Sequence, residues 1–146
     1  MVRAVHPPAP AVRAAVEAAL AEDLLPLGDL TSVLVPEDAV AEATLASRAA
    51  GVFAGRACVD ETLRQVDAAL TIEWSVDDGA SVQPGTVLAV VRGPLRTVLT
   101  AERTALNFAG HLSGVATLTR AYVDAAAGAA LVWDTRKTTP GLRALE

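Results

Sequence analysis

Apolar residues recur at helical spacing near the start of the chain: Val12, Val16, Ala19 and Leu20 follow Pro10, which suits a first helical turn. The pattern predicts an amphipathic helix over residues 9–23. Residues 24–32 hold Pro26, Gly28 and Asp29 and read as a loop. Residues 41–53 read as strand, broken at Gly51, and residues 55–67 return to helical spacing with Cys58, Val59, Leu63 and Val66 on one face. Residues 70–76 alternate apolar and polar, the period of a half-buried strand. Asp78-Gly79 and Pro84-Gly85 then mark turns around strands at Val82 and 86–92, until Gly93-Pro94 ends that rhythm.

From Leu95 the period is helical. Thr100 reads as the N-cap, with Glu102 in the first turn where negative charge suits the helix dipole. On a helical wheel Ala101, Ala105, Phe108, Ala109 and Leu112 share one side; Arg103, Asn107, Gly110 and Gly114 share the other, with His111 at its edge. Ser113-Gly114 is expected to bend or restart the helix, which then runs to about Ala127 and stops at Gly128. Leu131-Val132-Trp133 reads as a short buried strand, residues 134–141 as a polar loop, and Leu142 as the start of a new helix capped by Thr139. Strand, polar loop and helix in that order form the unit that places active-site residues at the C-terminal edge of an α/β barrel. The first region is α+β, with helices packed on a sheet.

Composition narrows the function classes. Hydrophobic residues make up 52% of the 146, but 31 of them are alanine, which has little side chain to bury. Two Phe, two Trp, one Tyr and a net charge of −5 argue against a nucleic-acid face. Cys58 is the single cysteine, which leaves no intrachain disulfide and no cysteine zinc site, and it reads as a small buried hydrophobe. His6 and His111 are too far apart in sequence to suggest a His-rich metal site. No apolar run approaches membrane-spanning length, so a cytoplasmic protein with no membrane partner is expected.

One count points to a site. The chain has eleven arginines and a single lysine, Lys137, in the loop Asp134-Thr135-Arg136-Lys137-Thr138-Thr139-Pro140-Gly141. Two adjacent cations and three threonine hydroxyls ahead of an expected helix N-terminus suit a phosphate or carboxylate. A solvated surface turn is the competing reading of the same residues. Arg103 is the second candidate, either a surface charge or part of an ion pair or, with Asn107 and Gly110 beside it, part of an open polar face for a ligand or partner subunit. His111 reads as a packing or hydrogen-bonding residue. Residues 77–88 resemble the Asp-Gly-x-x-Val-x-x-Gly-x-x-Leu hairpin of biotinyl and lipoyl carriers, yet no lysine stands nearby, so only a barrel-sandwich-like hairpin is inferred.

Two longer strings are more specific. Residues 99–108 (Leu-Thr-Ala-Glu-Arg-Thr-Ala-Leu-Asn-Phe) with 111–119, and residues 134–143 (Asp-Thr-Arg-Lys-Thr-Thr-Pro-Gly-Leu-Arg), resemble the quinolinate phosphoribosyltransferase family. Gly28-Asp29-Leu30-Thr31-Ser32 resembles its N-terminal signature, although the Leu25-Pro26-Leu27 spacer departs from the common pattern. The resemblance implies an N-terminal α/β sandwich domain over residues 1–112 and the first strand of an α/β barrel within 113–146, the barrel being truncated here. It implies transfer of a phosphoribosyl group from phosphoribosyl pyrophosphate to the ring nitrogen of quinolinate, in de novo NAD biosynthesis. Pyrophosphate and carbon dioxide are released.

By the same resemblance Arg103 binds a quinolinate carboxylate across a subunit interface in a homodimer or higher assembly. Arg136 binds a carboxylate within its own subunit, and Thr135 and Lys137 complete the pocket, with Lys137 also near phosphoribosyl pyrophosphate. No catalytic residue and no metal ligand is assigned in this chain; Mg²⁺ is expected with phosphoribosyl pyrophosphate, held by residues the family carries past position 146. The fragment alone is expected to be inactive. A related transferase for another ring acid and a non-catalytic dimerisation domain are the alternatives.

Overall fold

The computed structural model describes residues 6–146, so the first five residues of the expected N-terminal domain lie outside the described residues. In chain order the elements are α1 (Ala9–Leu24), a 3-10 turn (Ser32–Leu34), β1 (Val40–Ala46), β2 (Gly51–Val52), α2 (Arg56–Val66), β3 (Thr71–Trp74), β4 (Ser81–Val82), β5 (Val87–Pro94) and α3 (Leu95–Ala126). The mixed α/β class agrees with the sequence pattern.

Strands β1, β5 and β3 form one antiparallel sheet with β5 in the middle. Its outer face is charged: Arg92 on β5 donates through Nε to Glu42 at 2.7 Å and through Nη1 to Glu73 at 3.1 Å. Its inner face meets α2 and α3. There Phe53, Val59, Leu63, Val82, Leu88, Ala101, Ala105 and Ala109 make a core, with Trp74 and Val91 packed against it. Burying such side chains is worth roughly 1.5–3 kcal/mol each for the larger ones, and the alanines let α2 and α3 approach closely. Gly55 marks that closeness: a Cβ on it would come within 3.3 Å of Ala109 Cα, and its φ is +118°.

A second core joins α1, α2 and α3 through Val12, Val16, Leu20, Cys58, Phe108 and Leu112; Leu142 and Leu145 from the end of the chain pack onto it. The helical-wheel assignment of α3 therefore holds, since Ala101, Ala105, Phe108, Ala109 and Leu112 are all buried.

Five expectations fail. The helix α3 begins at Leu95, not Thr100, because Pro94, with φ −58°, can sit at its N-cap without a donor to satisfy. Ser113-Gly114 does not break α3, because the Ser113 hydroxyl bonds outward to Ala54 and leaves the helical ladder intact. Strand β4 pairs with β2 rather than with β5 across Pro84-Gly85, so the expected hairpin is instead a tight turn joining two different sheets. The Thr86 amide to the Gln83 carbonyl at 3.0 Å closes that turn. Finally, Leu131-Val132-Trp133 is not a strand: these residues are 80%, 46% and 79% exposed and pair with no strand among the described residues. An isolated extended segment has neither ladder bonds nor a face to bury. The helix expected from Leu142 is likewise a series of turns.

Candidate active site

Arg103 stands on the outer face of α3, its side chain 62% exposed. It points to the end of α1, where its Nε donates to Asp23 Oδ2 at 3.2 Å and lies 2.9 Å from Oδ1 in the same ion pair. Asn107 and Gly110, further along the helix, are exposed on the same side. The loop after α1 is fixed to α3 three residues before Arg103. Thr100 Oγ1 donates to Asp29 Oδ2 at 2.8 Å, and the amides of Thr31 and Ser32 donate to Asp29 Oδ1 at 2.9 and 3.1 Å. The Thr100 bond first, then the Ser32 amide, hold the Asp29 carboxyl at about 2, below the usual carboxylate range.

The basic loop lies at the far end of the chain. Thr135 Oγ1 accepts from the Lys137 amide at 3.1 Å, a local turn that sets the backbone between them. The Arg136 carbonyl accepts from Arg143 Nη2 at 2.6 Å. A shallow cavity of about 390 Å³ opens here, lined by Arg136, Thr138, Thr139 and Arg143 among others. Two guanidinium-bearing residues and two hydroxyls around one cavity suit an anion with more than one acceptor. Leu142 and Leu145, packed beside Phe108 and Leu112, hold this loop against the helical core. Glu146 adds a polar tie: its Oε1 lies 2.7 Å from His111 Nε2, and its Oε2 accepts from the Thr139 amide at 3.1 Å. Bonding from Thr139 first, and then from His111, keeps that carboxyl below its ordinary value.

The structure thus groups Thr135, Arg136 and Lys137 on one loop, with Arg136 alone of the three lining the cavity. Arg103 is not joined to them: no hydrogen bond or ion pair links it to residues 135–137 among the described residues. His111 takes the hydrogen-bonding role expected of it. Asp23 and Arg143 were not singled out from sequence. Asp23 lies 80 positions from Arg103, and no local pattern pairs residues so distant. Arg143 stands inside the quoted motif, but an isolated arginine past an expected helix start carries no signal of its own.

Other chemistry is limited. Cys58 is buried, and that burial pushes its thiol up to about 11, away from nucleophile behaviour. A larger groove of about 540 Å³, between the start of α2 and the middle of α3, is mainly apolar and contains none of the predicted site residues. No group of three or more His, Cys, Asp or Glu among the described residues could hold a metal ion, and no helix there is long and apolar enough to cross a membrane.

Comparison with known proteins adds the rest. The family model for the quinolinate phosphoribosyl transferase N-terminal domain matches residues 29–113, and that for the C-terminal domain matches residues 115–146. The chain is 43% identical over 143 residues to the carboxylating nicotinate-nucleotide pyrophosphorylase of Mycobacterium leprae, covering 93% of this chain and 49% of that one. It is 40% identical over 136 residues to the chloroplastic nicotinate-nucleotide pyrophosphorylase of Oryza sativa subsp. japonica, covering 92% of this chain and 36% of that one. The solved nicotinate-nucleotide pyrophosphorylase of Francisella tularensis superposes with a TM-score of 0.89 at 34% identity, over 94% of this chain and 49% of that one. The chain therefore spans between about a third and a half of the length of these relatives.

Proposed function

The chain belongs to the quinolinate phosphoribosyl transferase family, and on that premise we propose that it serves the decarboxylating synthesis of nicotinate mononucleotide, an NAD precursor, from quinolinate. The observation that carries this reading is the unbroken succession of the two domain matches, over residues 29–113 and then 115–146. In the proposed reaction the ring nitrogen of quinolinate attacks C1 of the ribose while pyrophosphate leaves with the bonding pair. The carboxyl beside the now cationic nitrogen departs as carbon dioxide, its electron pair stays on the ring carbon, and a proton takes its place.

Quinolinate carries two adjacent carboxylates, so its site needs planar donors in fixed positions. Arg103 and Arg136 supply guanidinium forks for them, Thr135 supplies a hydroxyl, and Lys137 supplies a compact charge toward the phosphates. Fixed positive groups around the departing carboxylate stabilise charge that develops there. The openness of Arg103, beside exposed Asn107 and Gly110, supports its use by the pocket of a second copy in a homodimer or higher assembly. Mg²⁺ would accompany phosphoribosyl pyrophosphate and neutralise its charge. The described residues lack the clustered carboxylates to hold it, so no step is assigned through it. We divide the chain at 112/113, inside α3, and read residues 113–146 as the opening of an α/β barrel. A cytoplasmic location is part of the same proposal; the rice relative is named chloroplastic.

Calorimetric titration of the chain with quinolinate and with nicotinate tests the reading. Quinolinate is expected to bind more tightly, and Arg136→Ala to weaken it roughly tenfold or more by the scale of charged hydrogen bonds. Equal binding of both acids by the native chain would favour a transferase for another ring acid.

A further inference from the structure

The ion pair between Arg103 and Asp23 has a one-sided geometry. Nε donates to Asp23 Oδ2 at 3.2 Å and is also the guanidinium nitrogen nearest Oδ1, at 2.9 Å. Among the described residues neither Nη of Arg103 makes a hydrogen bond. A guanidinium can meet a carboxylate side-on, through Nε and one Nη, or end-on, through both Nη groups. With Nε taken, only the end-on approach remains.

The two partners also differ in freedom. The Arg103 side chain is 62% exposed, whereas that of Asp23 is 22% exposed. Asp23 sits in the last turn of α1, between Leu20, which is buried in the helical core, and Leu24, which packs against it. Just beyond, the loop is held to α3 by the bond between Thr100 and Asp29. The carboxylate is therefore the fixed partner and the arginine the mobile one. An exposed pair of this kind adds little to stability, roughly 1 kcal/mol at most. Its consequence is orientation: a long side chain that would otherwise sample many rotamers is held by Nε with both Nη groups left unbonded, and the entropy of that restraint is spent before ligand arrives.

The geometry points to Asp23 as a positioning residue, which holds Arg103 by Nε so that its two Nη groups receive one carboxylate of an aromatic ortho-dicarboxylate end-on. This rests on the reading above, that Arg103 receives a substrate carboxylate.

The test is ¹H–¹⁵N spectroscopy of arginine side chains in the 146-residue chain and in Asp23→Asn, each titrated with quinolinate. In the native chain the Arg103 Nε–H is expected to be shifted and slow to exchange, and quinolinate is expected to move the Nη signals while leaving Nε–H in place. In Asp23→Asn that Nε–H signal collapses toward its solvent-exposed position, and quinolinate binds about three- to fivefold more weakly. Arg64 and Arg92, whose Nε groups are held by Glu61 and Glu42, report whether the fold is intact.

Unchanged quinolinate affinity in Asp23→Asn, with Arg103 still responding, overturns the positioning role and leaves the carboxylate site standing. No response of Arg103 in the native chain overturns the site itself, and the inference with it. Should the asparagine variant disturb Arg64 and Arg92, Asp23→Glu repeats the test. Its longer side chain displaces the guanidinium, so unchanged affinity there is again the overturning result.

Discussion

Thr100 donates its hydroxyl to Asp29 at 2.8 Å, joining residues 71 positions apart and fastening the loop after α1 to the second turn of α3. With the amides of Thr31 and Ser32 on its other oxygen, Asp29 organises that loop around one carboxylate. Asp29→Asn is expected to cost about 1 kcal/mol, discounted for partial exposure to solvent. The carboxyl is at about 2 in the fold, below its unfolded value near 3.8, so the charged form is favoured by folding. Its contribution is complete above about pH 4 and fades as pH falls toward 2. Urea midpoints of the native chain and Asp29→Asn, compared across that window, should converge at the acid end.

Asp78 caps α2 from outside the helix. Its Oδ1 accepts from the amides of Gly55 at 2.9 Å and Arg56 at 3.1 Å, two donors that no helical carbonyl satisfies. Asp78→Ala is expected to lower stability by about 1 kcal/mol, read as a lower urea midpoint with unchanged slope. Asp78→Asn keeps an acceptor oxygen and should lose less.

The exposed side of β2 is braced by two hydroxyls of α3. Thr117 Oγ1 accepts from the Val52 amide at 2.9 Å, and Ser113 Oγ accepts from the Ala54 amide at 3.0 Å, so a helix does the work of a neighbouring strand. Gly51 makes room for this: a Cβ there would stand 2.6 Å from Thr117 Oγ1. Gly51→Ala is expected to destabilise by about 1–3 kcal/mol, the usual range for overpacking. In a double-mutant cycle, Thr117→Ala should relieve part of that loss by removing the obstructing group. Strict additivity would sink the account.

Cys58 offers a kinetic test. With its thiol at about 11 and its side chain buried, it should resist disulfide-exchange reagents in the folded chain near neutral pH. Labelling should follow the opening of the core joining α1, α2 and α3, and accelerate with urea. Rapid labelling without denaturant would contradict the burial.

Much of this was legible in the sequence because it is local. The spacing of Val12, Val16 and Leu20, and of Ala101, Ala105 and Leu112, marks buried helix faces, and each is buried as expected. Gly128 marks the end of α3, where Ala127 turns to φ +47°. Legibility fails where partners are remote. The apolar run Leu131-Val132-Trp133 looks like a strand to any local pattern, but strand formation depends on a neighbour to pair with. Val82 reads as strand correctly, yet nothing near it reveals that its partner is Gly51. The same holds for the site: the basic loop stands out by composition, whereas the bond from Arg103 to Asp23 spans 80 positions and leaves no trace in either neighbourhood.

The burial of α3 is one-sided along its length as well as around it. All its buried residues fall between Val98 and Leu112, while residues 118–125 are exposed throughout. Beyond Leu112 the helix runs on for roughly 21 Å at 1.5 Å per residue, supported only at first by Ser113 and Thr117. It is mechanically a cantilever. A tilt of about 5° at the anchored half would sweep the Ala126 end by about 2 Å over that length. Repacking of the alanines against α2 is thus amplified into displacement of whatever follows the helix.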